Sequence, residues 1–222
     1  MKQQTPHSVE AISKEVAVDF EKFGKIASDD DVKKTVQALE SNNIRVILVD
    51  RADAALDALK SVIPAGAEVM NGTSTTLAEI GFVEYLQQPG LPWKNLHVGI
   101  LAEKDASKQA DLRRKADTAE YFVSSAQAIT QNGEIVGCDA SGSRVGAWLF
   151  TAKNLVIVAG TNKIVPDLST ALARVHEYAF KLEYVRAQKV YGMGSNVSKI
   201  AILGKEFGPR TTVILVKEAL GY

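Results

Sequence analysis

The chain has 222 residues, and its 26 basic and 26 acidic side chains give a formal net charge of zero at pH 7. A neutral chain has no overall electric field that would attract nucleic acid or an anionic membrane, so we expect neither as a partner. Hydrophobic residues account for 46% of the sequence, which is typical of a folded domain with a large core and excludes a disordered chain.

Cysteine and histidine are scarce. The single cysteine, Cys138, excludes an internal disulfide, and three histidines leave too few ligands for a Cys-rich zinc or iron–sulfur site. We therefore predict no metal and no cofactor. The polar N-terminus lacks the apolar segment of a signal peptide, and no apolar run is long enough to span a membrane. These features predict a cytoplasmic protein.

Strands and helices alternate in the predicted order of elements, which is the pattern of an α/β fold. Apolar side chains at helical spacing predict a helix over residues 8–23, so residues 1–28 are interpreted as a helical arm and residues 29–222 as one α/β domain. Asp29, Asp30 and Asp31 place carboxylates at the positive end of the next helix. The other predicted elements are strands at 44–49, 67–70, 96–101, 121–123, 155–160, 200–203 and 212–216, and helices at 52–63, 77–86, 104–116 and 168–182.

Asn132-Gly133 predicts a β-hairpin between residues 128–130 and 134–136. In the tight primed turn that this dipeptide favours, both central residues have positive φ. The second strand leads into a loop rich in glycine and serine, which lets backbone N–H groups converge on an anion.

The first candidate site follows the strand at 67–70. Glycine and short hydroxyl side chains there supply free N–H and O–H donors suited to phosphate, sulfate or carboxylate. Thr76 and Glu79 also fit a capping box, so Glu79 is interpreted either as a cap or as a catalytic carboxylate. The predicted ligand-binding residues of this loop are Asn71, Gly72, Thr73, Ser74, Thr75 and Thr76.

The second candidate site follows the hairpin. Arg144 is suited to bind a carboxylate or phosphate, and Gly142 and Ser143 lie in the turn beside it. Asp139 is interpreted as a general base, as a ligand for a sugar hydroxyl, or as a structural partner of Arg144. Cys138 is interpreted as a nucleophile or as buried packing, the latter being more common for a cysteine in a strand.

The third candidate site, Asn162 and Lys163, follows the strongly apolar strand at 155–160. Lys163 at a strand end is suited to bind an anion or to form a Schiff base, and an ordinary exposed loop lysine is the alternative. Because the carboxyl ends of parallel strands meet at one sheet edge, we expect the three loops to converge on one crevice. The apolar stripe of the helix at 168–182 predicts core packing or a homodimer interface.

The sequence resembles the LUD-domain (lactate-utilisation) family in four stretches: residues 71–81, 126–144, 156–167 and 213–222. The resemblance implies the fold shared by ribose-5-phosphate isomerase, glucosamine-6-phosphate deaminase and CoA transferases, a Rossmann-like, mainly parallel sheet flanked by helices. Some relatives act with an iron–sulfur partner in lactate oxidation and carry a cysteine cluster after the long helix. Residues 187–195 of this chain contain no cysteine.

The resemblance and the three loops together predict a protein that binds a small anionic metabolite, namely a phosphorylated or carboxylated sugar or hydroxy acid. If the chain is an enzyme, metal-free isomerase or proton-transfer chemistry is expected, with Asp139 or Glu79 as the base and Lys163 as an anion clamp. Gln127 stands where sugar-phosphate isomerases of this fold commonly have an acid, and an amide is not a base. The alternatives are a non-catalytic subunit of a lactate-utilisation-like redox complex and a metabolite sensor.

Overall fold

A computed structural model describes residues 12–222 of the chain. Part of the helix predicted over residues 8–23 lies outside this range. Within the range, Ile12 and Ser13 are helical, residues 14–19 are not, and α1 (Phe20–Phe23) follows, so the prediction of one continuous helix is wrong. Asp19 caps α1 at its start, and Ile12 and Phe23 pack against Tyr178 of the long helix.

The main sheet has six parallel strands in the order β1-β10-β7-β4-β2-β3. Its carboxyl edge brings together the ends of β2, β4 and β7, because these strands are neighbours and run in the same direction. The strands are β1 (Arg45–Val49), β2 (Glu68–Asn71), β3 (Lys94–Asn95), β4 (Tyr121–Ser124), β7 (Asn154–Gly160) and β10 (Thr211–Val216).

Alternating side chains of the main sheet bury two separate faces, as the period of a β-strand requires. In β7, Leu155 and Ile157 point into one core, and Val156 and Val158 point into the other. Burying such an aliphatic side chain contributes about 1.5–3 kcal/mol. The covering helices are α2 (Asp29–Ser41), α3 (Ala52–Val62), α4 (Thr75–Glu79), α5 (Phe82–Tyr85), α6 (Leu96–Ala102) and α7 (Ala106–Ala116). The prediction of a mainly parallel α/β fold flanked by helices is therefore confirmed.

Two predicted elements differ from the structure. Residues 96–102 form α6 and not a strand, because the Asn95 side chain accepts a hydrogen bond from the backbone N–H of His97 at 3.0 Å and starts a helix there. The helix predicted at 77–86 is divided into α4 and α5 by Gly81, whose φ is +78°. Glycine adopts this left-handed conformation at no steric cost.

A smaller four-stranded sheet, in the order β8-β5-β6-β9, carries the predicted hairpin. Its strands are β5 (Ala128–Thr130), β6 (Ile135–Asp139), β8 (Ile164–Val165) and β9 (Lys199–Leu203). The hairpin is confirmed, but the turn type is not: Gly133 has φ +86°, whereas Asn132 has negative φ. The N–H of Gly133 donates to the Thr130 carbonyl at 2.9 Å, which is the pattern of a type I turn followed by a left-handed residue.

Two helices carry one π-helical turn each. The first begins as α8 (Ser143–Gly146) and continues as the turn Ala147–Thr151. The long helix consists of α9 (Leu168–Arg174), the turn Val175–Ala179 and α10 (Phe180–Tyr191), and Asp167 caps its start as predicted. Of its apolar stripe, Val175, Ala179 and Leu182 are buried within the chain, and Leu168 and Leu172 are partly buried against the smaller sheet. A homodimer stays a prediction. Among residues 12–222, no helix is long and apolar enough to cross a membrane.

Candidate functional site

A cavity of about 520 Å³ lies at the carboxyl edge of the main sheet. Its walls are the loop after β2, the residues that follow β4, the end of β6 with the loop before α8, Lys163 after β7, and α10 with the C-terminal Tyr222. Of the predicted site residues, those that line it are Gly72, Thr73, Ser74, Thr75, Thr76, Asp139, Ser143, Arg144 and Lys163. The three loops thus share one cavity. Two of them follow parallel strands of the main sheet, whereas the loop before α8 follows β6 of the smaller sheet, whose pairing is antiparallel.

The loop after β2 is held by its own hydroxyls. The Ser74 side chain accepts a hydrogen bond from the N–H of Leu77 at 3.2 Å, so Ser74 is the N-cap of α4. The capping box predicted for Thr76 and Glu79 is wrong, because Thr76 already lies inside the helix. Thr76 instead turns its hydroxyl to the C-terminal segment and donates to the carbonyl of Leu220 at 3.3 Å.

Asp139 shapes the loop before α8. One carboxylate oxygen accepts the backbone N–H of Arg144 at 2.8 Å, and the other accepts the N–H of Ser141 at 3.1 Å. Gly142, whose φ is +97°, reverses the chain between them but does not line the cavity. The Asp139 carboxylate therefore holds the backbone of this loop in place and also borders the cavity.

Arg144 joins two walls of the cavity. Its guanidinium donates to the carbonyl of Thr73 at 3.2 Å and to the carbonyl of Cys138. Its Nε is buried without a hydrogen-bond partner. Gly72 permits this packing, since a Cβ atom at that position would lie 2.8 Å from Arg144 Cδ. The guanidinium charge is thus met by neutral carbonyls and by no carboxylate among the described residues.

Lys163 is almost completely buried, with 1% of its surface exposed. Its Nζ lies 2.8 Å from the Thr76 hydroxyl and 2.9 Å from the Ser125 hydroxyl, and these two hydroxyls are 3.1 Å apart. Burial lowers the pKa of Lys163 well below its ordinary value, the nearby Arg174 lowers it further, and the Glu79 carboxylate opposes this only in part. Lys163 is therefore not the exposed loop lysine of the alternative interpretation.

Arg174 is the fixed charge behind Lys163. It is fully buried and donates to three carbonyls: Phe23 at 3.0 Å, Asn162 at 3.3 Å, and Gln127. Burial lowers the pKa of Arg174 to about 10, which still leaves the guanidinium protonated near pH 7. A permanent positive charge at this place favours the neutral form of the lysine beside it.

The wall formed by α10 and the C-terminus was not predicted from the sequence. Arg186 forms a two-pronged ion pair with Glu183, at 2.8 and 2.7 Å, and the hydroxyl of Tyr222 donates to the same carboxylate. Burial raises the pKa of Tyr222, so its hydroxyl stays protonated. The only available signal was the i, i+3 spacing of Glu183 and Arg186, which is also typical of an exposed helix surface.

Cys138 and Gln127 both line the cavity. Cys138 is not suited to act as a nucleophile there, and the Gln127 amide is not a base. Burial raises the pKa of the Cys138 thiol to about 11, so the nucleophilic thiolate is disfavoured and the packing interpretation is the better one. The Gln127 side chain accepts the backbone N–H of Cys138 at 2.9 Å. It thereby ties the strand end to the segment after β4.

Four predicted site residues lie elsewhere. Asn71 does not line the cavity, and its carbonyl accepts a hydrogen bond from His97 Nε2 at 2.8 Å. Gly142 only turns the chain. Glu79 and Asn162 border a second cavity of about 270 Å³, where they bind the backbone of the C-terminal segment. The structure therefore does not bring Glu79 together with Asp139.

The polar groups of Glu79 and Asn162 are used by the chain itself. Glu79 accepts the N–H of Gly221 at 2.6 Å, and burial raises the pKa of its carboxyl. The Asn162 amide accepts the N–H of Leu220 at 3.1 Å and donates to the carbonyl of Gly221 at 3.3 Å. Within residues 12–222, no three His, Cys, Asp or Glu side chains are grouped closely enough to hold a metal ion.

Comparison with known proteins finds a match to the family model described as LUD domain over residues 32–216. No curated protein matches the chain. A DUF162 family protein from Deinococcus radiodurans is similar in structure, with a TM-score of 0.52 and 11% identity, over 86% of this chain and 99% of that one. At this identity, the likeness supports a shared fold.

Two subunits of eIF2B from Chaetomium thermophilum are more distant. The beta subunit has a TM-score of 0.33 and 12% identity, over 64% of this chain and 48% of its own. The delta subunit has a TM-score of 0.29 and 16% identity, over 69% of this chain and 53% of its own. This chain spans about half of each, and TM-scores this low support no argument about function.

Proposed function

Because the family model covers residues 32–216, the chain belongs to the LUD-domain family, and we propose that it binds a small anionic metabolite in the cavity at the carboxyl edge of the main sheet. The observation that carries the proposal is Arg144, a guanidinium in the cavity wall whose partners are carbonyls and whose Nε has no partner. A carboxylate or phosphate matches such a donor in charge and in geometry.

The other charges around the cavity support an anionic ligand. Basic side chains in its lining are Arg113, Arg144, Lys163 and Arg186, and the acidic ones are Asp139 and Glu183. Both acids are already satisfied, Glu183 by Arg186 and Tyr222, and Asp139 by two backbone N–H groups. Even without Lys163, whose neutral form is favoured, three arginines face two acids, so the balance is positive in a chain whose net charge is zero.

The size and the hydroxyl groups of the cavity favour a small polar ligand. About 520 Å³ falls within the roughly 300–1,000 Å³ range of small-molecule sites. The hydroxyls of Thr73, Ser141 and Ser143 border it and are suited to a ligand that carries its own hydroxyl or carbonyl oxygens. A phosphorylated or carboxylated sugar or a hydroxy acid has this combination of groups.

If the bound metabolite is transformed, Asp139 and Lys163 are the candidates for proton transfer, because both side chains line the cavity and Glu79 does not. Asp139 is the preferred base, since each of its carboxylate oxygens accepts one backbone N–H group and keeps a second lone pair that can accept a proton from a ligand carbon or hydroxyl. The test is Asp139→Asn, which keeps the size of the side chain. Turnover that survives this substitution unchanged would rule out Asp139 as the base.

Isothermal titration calorimetry with inorganic phosphate, lactate, pyruvate and glycerol 3-phosphate tests the binding proposal. We expect at least one of them to bind, and Arg144→Met to weaken it about 10- to 100-fold, because a hydrogen bond to a charged group contributes about 1.5–3 kcal/mol. A matched pair sharpens the test: Arg113 lines the cavity, whereas its neighbour Arg114 pairs with Asp111 on the exposed surface. Arg113→Met should weaken binding, and Arg114→Met should not.

If none of these anions binds, or if Arg144→Met and Arg114→Met behave alike with both variants folded, the proposal is wrong. Binding to a protein partner without any anion binding would then favour the subunit interpretation. Folding of each variant is checked by circular dichroism before binding is compared.

A further inference from the structure

We propose that Lys163 forms an imine with the carbonyl group of a bound anion, a step that rests on the proposed function and assigns its ligand to carbonyl-bearing anions. The class includes 2-oxo acids and phosphorylated aldoses or ketoses, which share a C=O group and a negative charge. The Lys163 amine lies at the cavity, within hydrogen-bond distance of the Thr76 and Ser125 hydroxyls and close to the guanidinium groups of Arg144 and Arg174.

The surroundings of Lys163 suit a neutral amine better than an ammonium group. A neutral amine has two N–H bonds, and Nζ has two hydroxyl partners, Thr76 at 2.8 Å and Ser125 at 2.9 Å. An ammonium group would have a third N–H, for which the described residues record no partner. With both N–H bonds occupied, the lone pair of the neutral amine is directed away from these hydroxyls.

The charges beside Lys163 act in the same direction. Arg174 lies behind it, fully buried and held by three carbonyls, and Arg144 lies in the cavity wall. Burial is the main cause of the depressed pKa of this amine, and the two positive charges, which disfavour a third one on Lys163, lower it further, while the Glu79 carboxylate opposes them. Desolvation and a cationic neighbour are the usual means by which a protein makes a lysine nucleophilic near neutral pH.

The reaction needs no oxidant, reductant or metal. The Nζ lone pair attacks the carbonyl carbon, and the electron pair of the C=O bond moves to oxygen. The oxygen takes up a proton, giving a carbinolamine, and after a second proton transfer it leaves as water while the N–C double bond forms. Ser125 and Thr76 border the cavity and lie within 2.9 Å of Nζ, so their hydroxyls are placed to relay the protons.

Arg144 gives the ligand its orientation. With the anionic group on this guanidinium, a carbonyl one or two carbons away would extend into the cavity that Lys163 also lines. The same arrangement makes the amine selective for carbonyl compounds that carry a negative charge, because an uncharged carbonyl compound cannot form an ion pair with Arg144.

Trapping with sodium cyanoborohydride tests the proposal, since this reagent reduces an imine to a stable amine. The full chain is incubated at pH 7 with pyruvate or with glyceraldehyde 3-phosphate, and modified lysines are located by peptide mass spectrometry. Lys33, which is exposed, is the internal control. A lysine amine in water has a pKa of about 10.4 and is roughly 0.04% neutral at pH 7, so we expect at least tenfold more adduct on Lys163 than on Lys33.

Two further measurements separate a specific imine from general reactivity. Excess lactate or glycerol 3-phosphate, the alcohol counterparts of the two probes, should suppress the adduct on Lys163 and leave that on Lys33 unchanged. Between pH 6 and pH 9 the adduct on Lys33 should rise about tenfold per pH unit, whereas the adduct on Lys163 should level off. Lys163→Met removes the amine without adding a charge and should bind the probes without forming the imine.

The outcomes distinguish this inference from the proposed function. If a carbonyl probe binds by calorimetry and Lys163 is modified no faster than Lys33, the imine is wrong and anion binding stands. If neither carbonyl probe binds but phosphate, lactate or glycerol 3-phosphate does, the imine is wrong and anion binding stands. If none of these anions binds, both proposals are wrong. Mapping of the wild-type chain decides the question even if Lys163→Met does not fold.

Discussion

The two cavities beside the Asn162–Lys163 turn are built from similar residue types and are used differently. In the larger one, the side chains of Arg144 and Lys163 donate only to carbonyls and hydroxyls, and neither has a hydrogen bond to a carboxylate. In the smaller one, the polar atoms of Glu79 and Asn162 are already bonded to the backbone of the C-terminal segment. A polar residue at a strand end is thus available to a ligand only where the chain does not use it first.

Consecutive residues illustrate this division. Thr161–Lys163 is a single 3-10 turn, yet Asn162 binds the C-terminal segment and Lys163 lines the larger cavity. The C-terminal segment itself borders both, with Gly221 at the smaller cavity and Tyr222 at the larger one. We therefore expect substitutions around the smaller cavity to change stability, and substitutions around the larger cavity to change binding.

The largest effect is expected at Arg174, which holds the two regions together. Arg174→Met leaves the carbonyls of Phe23, Gln127 and Asn162 without their donor inside the core. Each buried carbonyl left without a donor costs about 1–3 kcal/mol, so the loss of all three should lower the free energy of unfolding by at least about 3 kcal/mol in urea titrations. Arg51→Met, at an exposed site, should stay within about 0.5 kcal/mol of wild type. A loss below about 1 kcal/mol at Arg174 would show that the two regions are not coupled through it.

Asn162→Ala should lower the free energy of unfolding by about 1–3 kcal/mol, because Leu220 N–H and Gly221 C=O lose their partner in a buried position. The matched variant is Ser143→Ala in the wall of the larger cavity, where Ser143 is exposed and contacts the Ser141 hydroxyl at 3.1 Å. Its stability should change by less than about 0.5 kcal/mol. Anion binding should respond in the opposite way, more at Ser143 than at Asn162. Equal effects of the two variants on both properties would contradict the division.

Local patterns in the sequence predict most of the fold and the position of the larger cavity. The alternation of buried faces in β7, the turn glycine Gly133 and the cap Asp167 each act over a few residues, so their effect is visible in a single sequence. The short apolar run at 96–101 was wrongly predicted as a strand, because its few residues fit either period and Asn95 decides for a helix.

Long-range contacts account for what the sequence does not predict. Whether Glu79 faces a ligand or the chain depends on Gly221, which is 142 positions away. Likewise, Tyr222 forms part of the cavity wall because its hydroxyl donates to Glu183, which is 39 positions away. No local period or spacing encodes such pairs, so the use of each predicted polar residue follows only from the folded arrangement.

Lys163→Met should raise the free energy of unfolding at neutral pH by about 1 kcal/mol while abolishing imine formation, as is common when a strained functional group is removed. The sign follows from the depressed pKa of this amine. Between that pKa and about 10.4, the unfolded chain binds a proton that the folded chain does not, and this favours unfolding. The advantage of the variant should therefore be present at pH 7 and shrink towards pH 10 in urea titrations. A variant less stable than wild type at every pH would assign Lys163 a structural role.

The smallest effect is expected for Glu79→Gln, which keeps an oxygen acceptor for the N–H of Gly221 and removes only the charge. Burial raises the pKa of Glu79, so the stability that its protonated form contributes is complete below about pH 4 and is lost as the pH rises through the raised pKa. The variant should match wild type at pH 4 and be more stable at pH 7, by a few tenths of a kcal/mol. Glu79→Ala, which removes the acceptor as well, should be less stable at both. Glu79 does not line the larger cavity, so anion affinity should change less than twofold in Glu79→Gln. A loss of affinity as large as that of Arg144→Met would show instead that Glu79 belongs to the binding site.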